Sequence, residues 1–251
     1  MKLNKLFFEE FREKAEQLTV EFLNIGLGYT AVQTSDGGLG LSYTYYERRH
    51  PLAGSKEFID YEGQKALVLL KEIFSDDPLK RSLALALINA LNYKLALTLP
   101  EDRDNNVLID MLRIKGGSRV AMVGHIKPLE EKFTNMGIIC EVIDHFKGMG
   151  DEDSFFTFLR GKADVLLVTS TTLLNNSTEN VLKRLRNDTR CVMLGPGTPM
   201  IARPFAHLPL HLLAGTAPLD KEKVLKVIRH GMGTRMIHKY SKKVLLRIKN
   251  D

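Results

Sequence analysis

The run "VAMVGHIKPLE" ends an apolar stretch in Gly124 and His125. An imidazole at the carboxyl end of a strand can serve as an acid/base group or a metal ligand, because it exchanges its proton near neutral pH. Three further apolar runs end in residues of chemical interest. "IICEVID" closes on Asp144, and "ADVLLVTSTT" closes on Thr169, Ser170, Thr171 and Thr172 with Asn175 beyond. "RCVMLG" runs into Gly195, Pro196, Gly197, Thr198 and Pro199. Ligands of open α/β sheets bind outside the carboxyl ends of the strands, so these residues form the candidate site. Gly195 and Gly197 would let backbone approach a ligand with no Cβ in the way. Thr198 as N-cap and Pro199 as first helical residue predict a helix start whose free N–H groups favour an anion. A plain capped turn is the alternative.

Other chemistry is poorly represented. The loop after Gly124 lacks the G-x-G-x-x-G of dinucleotide binding, which disfavours NAD held in the ordinary way, although Asp144 stands where such folds place a ribose-binding acid. There is no C-x-x-C, no H-E-x-x-H and no calcium loop. His207 and His211 are four apart, but Pro209 argues against one helical face. His230 and His238 lie in a basic stretch and read as surface residues. No Ser/His/Asp arrangement or nucleophile elbow is visible.

The elements that would position these residues follow from periodicity. Residues 4–23 carry Leu6, Phe7, Phe11, Ala15, Leu18 and Phe22 at helical spacing, with Asn4 as N-cap. "IGLGYTAVQTS" and "LGLSYTYY" flank Asp36, Gly37 and Gly38 as a hairpin, and residues 47–60 read as a loop. "GQKALVLLKEIFS" and "DPLKRSLALALINALNYKLAL" read as helices, the second capped by Asp77 with Pro78 at its first position. From residue 118 short apolar strands alternate with helices, including "KPLEEKFTNMG", "DSFFTFLRGK", "STENVLKRLRND" capped by Ser177, "PMIARPFAH", and "DKEKVLKVIRHG" capped by Asp220. Such alternation implies a parallel sheet covered on both faces. The expected architecture is α/β: a small α+β domain over 1–115 followed by a Rossmann-like domain over 116–251.

Of the 251 residues, 44% are hydrophobic and 26% charged, ordinary for a globular chain. No apolar run approaches a membrane span, and the N-terminus lacks a signal-peptide pattern, so a cytoplasmic location is expected. Cys140 and Cys191 sit in apolar runs and read as buried thiols. The net charge of +6 is concentrated: residues 221–251 hold 10 Lys and Arg against 2 Asp and Glu. With Tyr240 its only aromatic, that segment reads as a solvated basic face and not as a specific nucleic-acid reader.

The motifs "VAMVGHIKPLE", "TSTTLLNNS", "VMLGPGTPM", "TAVQTSDGGLGLS" and "INALNY" together resemble the heavy-metal-chelation domain family over nearly the whole chain. The resemblance implies an enolase-N-terminal-like domain joined to a Rossmann-like domain, with a site in the cleft between them. The family's glycine hairpin maps onto Gly37, Gly38 and Gly40, its helix asparagine onto Asn89, and its VGH motif onto Gly124 and His125. Its post-strand asparagine maps onto Asn175 and its GPGTP loop onto residues 195–199. The implied function is binding or chelation of a heavy metal or metal complex. The alternative is an enzyme that uses a nucleotide-like or phosphorylated ligand with His125 as acid/base. A glycine- and hydroxyl-rich cleft with one histidine suits an anionic organic ligand, or a metal carried by one, better than a bare soft ion. The partner expected is a small molecule or metal, with no membrane and no specific nucleic acid; a homo-oligomer is left open. The hairpin tip is expected near the strand ends, closing the cleft.

Overall fold

The computed structural model describes residues 1–46 and 59–248, so most of the predicted 47–60 loop lies outside the described residues. The chain opens with α1 (Lys2–Gln17), then an antiparallel sheet of β1 (Val20–Ile25), β2 (Tyr29–Thr34) and β3 (Leu39–Tyr43). The helical spacing of Leu18 and Phe22 is therefore misleading. Val20 and Phe22 lie on a strand paired with β2, which suits β-branched and aromatic residues. Asn4 is not a cap: it is buried within α1, and its amide donates to Ile73 O (2.9 Å) and Asn176 Oδ1 (3.2 Å).

Helices α2 (Ala66–Leu70), α3 (Pro78–Leu91) and α4 (Tyr93–Thr98) follow. Asp77 caps α3 by accepting from Leu79 N at 2.8 Å, a contact worth about 1 kcal/mol. A further helix, α5 (Asn106–Met111), covers a stretch the sequence pattern does not resolve. The second half alternates β4 (Arg119–Val123), α6 (Lys127–Asn135), β5 (Ile139–Ile143), α7 (Glu152–Gly161), β6 (Val165–Thr169), α8 (Thr171–Leu174), α9 (Thr178–Leu182), β7 (Arg190–Leu194), β8 (Leu212–Pro218), α10 (Lys221–Arg229), α11 (Thr234–Ile237) and β9 (Ser241–Arg247). Ser177 does not cap α9, since its hydroxyl donates to Asn175 Oδ1 instead (2.6 Å).

The large sheet runs β5-β4-β6-β7-β8-β9, parallel except for β9, which pairs antiparallel with β8. Because β5 and β6 flank β4 on opposite sides, the direction of winding reverses there. Such a reversal opens a crevice at the carboxyl ends of the two diverging strands, β4 and β6. Val123 is level with Ile143 and Val168, and Thr169 with Leu194, so the residues after these strands emerge side by side.

Alternate strand residues feed opposite faces. Ala121, Leu166, Val168, Cys191, Met193 and Leu213 join a core with Leu3, Phe7, Leu83 and Leu87. Val120, Met122, Leu167 and Val192 pack on α5 and α6 through Leu108, Leu129 and Phe133. The first core therefore contains both N-terminal helices and sheet strands; the Phe7 and Phe205 rings meet edge-on at 5.3 Å. The small sheet packs one face on α3 and the other on α10, where Ala31, Leu39 and Leu41 meet Val224 and Ile228.

The basic C-terminal segment is not a free face. Ile237, Val244 and Leu245 are buried, Lys242 Nζ donates to Leu99 O (2.6 Å), and Lys243 Nζ donates to Arg103 O (2.6 Å). His230 is exposed, but His238 is half-buried against Thr216 Oγ1 at 3.1 Å.

Candidate functional site

Gly124 and His125 leave β4 where the strand order reverses, beside the end of β6. Gly124 has φ +83°, and a Cβ there would collide with Thr169 Oγ1 at the end of β6, so only glycine fits. His125 N donates to Asp144 Oδ2 (2.9 Å), which joins the exits of β4 and β5. The other oxygen, Asp144 Oδ1, accepts from Lys147 N (3.1 Å). Asp144 thus organises two loops with both oxygens.

Both nitrogens of the imidazole are engaged. His125 Nε2 lies 2.6 Å from Glu130 Oε2, and His125 Nδ1 lies 3.2 Å from Lys147 Nζ, which also donates to His125 O (3.0 Å). An ammonium can only donate, so Nδ1 accepts from it and Nε2–H donates to Glu130. Lys147 is an exposed residue, and its ammonium also lies 3.8 Å from Asp144 Oδ2, so it stands over the strand ends already paired with a carboxylate.

On the β6 side, Thr169 Oγ1 and Thr171 Oγ1 are 2.6 Å apart, while the buried Ser170 donates its N–H to Leu194 O (3.0 Å). Asn175 is exposed and its side-chain oxygen accepts from Ser177 N (3.1 Å), a local turn separate from the crevice.

The loop at 195–199 differs from expectation. No α-helix starts at Thr198: Thr198 N donates back to Gly195 O (3.0 Å), closing a turn over Pro196 and Gly197, and only a three-residue 3-10 turn, Arg203–Phe205, follows. The predicted anion-binding helix start is absent because Pro204 and the burial of Phe205 favour a compact turn. Residues 196–199 are buried, and a Cβ on Gly197 would meet Ser42 Cα at 3.2 Å. The loop therefore packs beneath β3. Asn89 on α3 clamps it, donating to Gly197 O (3.0 Å) and Leu41 O (2.7 Å). The cavity beside it, lined by Asn89, Thr198 and Thr216 among others, is only about 10 Å³, room for a single water.

Gly38 and Gly40 serve the approach of β3 to α3, since a Cβ on either would collide with the α3 backbone at Ala86 or Ala90. Gly37 forms the turn with φ +78°, and its carbonyl accepts from Lys221 Nζ at the start of α10. The hairpin tip thus lies beyond β8. Burial opposes ionisation of Asp36 at the tip, but hydrogen bonds from Thr34 and Gly38, with Lys14 and Lys94 nearby, hold its carboxyl below the usual range. The opposite end of the hairpin covers the crevice side. Tyr43 and Tyr45 pack on Phe146 in the loop after β5, at ring distances of 6.3 and 4.8 Å. β3 therefore spans the carboxyl edge of the sheet, from Lys221 near β8 past Gly197 to Phe146 near β5.

Sequence reasoning missed Glu130, Phe146 and Lys147. Their signal was position alone: each lies within a few residues of a predicted strand end.

The residues do not fit a bare heavy-metal ion. Among the described residues there is no group of three His, Cys, Asp or Glu side chains that could share one. A metal at His125 Nδ1 would face an ammonium, and Asp144 is committed to two backbone N–H groups and to the Lys147 ammonium at 3.8 Å. Burial pushes the thiol of Cys140 up to about 12 and that of Cys191 higher still, which disfavours the thiolates that soft metals need.

Fold and site together define a mixed α/β protein in which a small antiparallel sheet lies over the strand ends of a larger, mostly parallel one. The chain belongs to the DUF364 family, described as "Putative heavy-metal chelation", whose model matches residues 107–247; a second model with the same description, DUF4213, matches residues 8–92. It is 23% identical over 248 residues to an uncharacterized protein of Methanocaldococcus jannaschii, covering 94% of this chain and 93% of that protein. A DUF364-family protein of unknown function from Pyrococcus horikoshii superposes with a TM-score of 0.78 at 19% identity, covering 98% of this chain and 100% of that one. One from Desulfitobacterium hafniense DCB-2 superposes with a TM-score of 0.73 at 20% identity, covering 97% and 98%. Among the described residues no helix is long and apolar enough to cross a membrane.

Proposed function

We propose that the chain binds a small organic anion, including a metal complex held through its organic part, in the cleft between an enolase-N-terminal-like half (1–115) and a Rossmann-like half (116–251). The observation that carries this reading is the Lys147 ammonium over His125 Nδ1 at the crevice where β4 and β6 diverge. Gly124, His125, Asp144, Thr169 and Thr171 line or build that mouth. Asn89, Ser170, Gly195, Pro196, Gly197 and Thr198 hold β3 and the strand ends in place around it. An anion would take Lys147 from the imidazole, and the threonine hydroxyls would supply neutral hydrogen bonds. The family's chelation then refers to the ligand's own donor atoms, with the protein gripping the complex from outside. A cytoplasmic setting accords with two unpaired thiols.

A second reading, an enzyme, is favoured by the 2.6 Å contact of Glu130 with His125, since a carboxylate on one ring nitrogen orients the other for proton transfer. Native mass spectrometry of untagged protein, with elemental analysis of the same sample, tests the main reading. A co-purifying anion lost in Lys147→Met supports it, whereas a metal that remains bound in Lys147→Met with no organic partner overturns it.

A further inference from the structure

Phe146 is 57% exposed, although it belongs to a tight turn in which Lys147 N donates to Asp144 O (3.2 Å) and Met149 N donates to Asp144 O (3.0 Å). The ring is held from behind: Tyr45 packs edge-on at 4.8 Å and Tyr43 lies tilted at 6.3 Å, both from the N-terminal half. Tyr43 is itself braced by an edge-on contact with Tyr29 at 5.9 Å. Four aromatic residues from two halves of the chain thus form a shelf whose outer ring, Phe146, is open. The residue after Phe146 is Lys147, whose ammonium sits on His125 and 3.8 Å from Asp144 Oδ2, so one turn carries both an open apolar ring and a cation that an anion could draw from its present partners. An aliphatic anion would use only the cation, whereas a planar conjugated anion would use both.

We propose that the site selects planar aromatic anions, with the ligand's ring stacked on Phe146 and its anionic group on Lys147. This rests on the anion-binding reading above and adds the ligand's ring chemistry. Rings stack offset or edge-on at centroid distances of about 4.5–7 Å, and such contacts are worth roughly two- to tenfold in affinity beyond area alone.

The test compares pyridine-2,6-dicarboxylate with cis-cyclohexane-1,3-dicarboxylate, which carries the same two carboxylates on a puckered saturated ring. Calorimetric titration is run on the wild-type chain and on Phe146→Ala, Phe146→Tyr and Lys147→Met, with thermal unfolding as the check that each variant is folded. The expected result is roughly two- to tenfold tighter binding of the pyridine compound. That preference should vanish in Phe146→Ala, persist in Phe146→Tyr, and be accompanied by weaker binding of both compounds in Lys147→Met. Equal binding of the two compounds, both weakened by Lys147→Met, overturns the aromatic selection and leaves the anion site standing. A preference that survives Phe146→Ala also overturns the shelf. Binding of neither compound overturns the shelf and the anion reading together.

Discussion

The side-chain amide of Asn89 donates to Gly197 O at 3.0 Å and, with its second hydrogen, to Leu41 O at 2.7 Å. One residue of α3 thereby fixes the last strand of the small sheet and the loop that leaves β7. Replacing it by alanine strands two carbonyl groups at a packed junction. Asn89→Ala should destabilise the fold by about 2–3 kcal/mol, read as a lower urea midpoint. A loss below about 0.5 kcal/mol, the range of an ordinary surface change, would show that the clamp is unimportant.

Gly197 gives a second test of that junction. The sequence reads Gly197 as leaving room for a ligand. With Ser42 Cα 3.2 Å from the added Cβ, Gly197→Val should instead force β3 away and cost about 1–3 kcal/mol. Unfolding of the variant by heat, without ligand, measures this directly.

The strand ends were legible because each buried strand is a short unbroken apolar run with a change of composition after it. Gly124, Asp144 and Thr169 could be placed on that basis alone. What escaped depends on which loop folds over which. Nothing in "DHFKGMG" tells that Lys147 turns back onto His125, since that follows from the Asp144 turn. Helix α5 was hidden because its apolar face, Leu108 and Ile109, is too short to establish a period. The GPGTP loop was over-read because two glycines and two prolines look alike whether they admit a ligand or a neighbouring strand.

Burial, with Lys243 adding repulsion, lowers His238 to about 4. Unfolded, the imidazole titrates near 6.5, so between roughly pH 6.5 and 4 the unfolded chain takes up a proton that the folded chain refuses. Stability should be full above that window and fall as the pH drops through it, by at most about 3 kcal/mol. Urea midpoints measured from pH 7.5 to 4.5 should show the slope in the wild type and a flatter profile in His238→Gln. Parallel profiles would refute the assignment.

Metal addition and removal should leave the apoprotein indifferent. Equilibrium dialysis against cadmium ions should find no stoichiometric site, and treatment with a chelator should not shift the thermal midpoint, because among the described residues no donor set assembles. Stoichiometric cadmium uptake that also stabilises the fold would contradict the reading of Cys140, Asp144 and His125.

The basic C-terminal strand should give only weak, salt-sensitive attraction to DNA. Lys242 and Lys243 are committed to backbone carbonyls and cannot follow a phosphate chain without letting go. Binding that discriminates between sequences at physiological salt would be the contrary result.

The core that joins Phe7 and Leu83 to Leu166 and Met193 has a kinetic consequence. A cleft between separate bodies can open on a hinge, and its ligand then waits for closure. Here a hinge motion would have to pull aliphatic side chains out of a continuous interior, at about 25 cal/mol for each Å² exposed. Ligand should therefore enter a preformed mouth sideways, past Lys147 and Phe146, and its residence time should be set by the movement of those two side chains and not by the motion of either half of the chain.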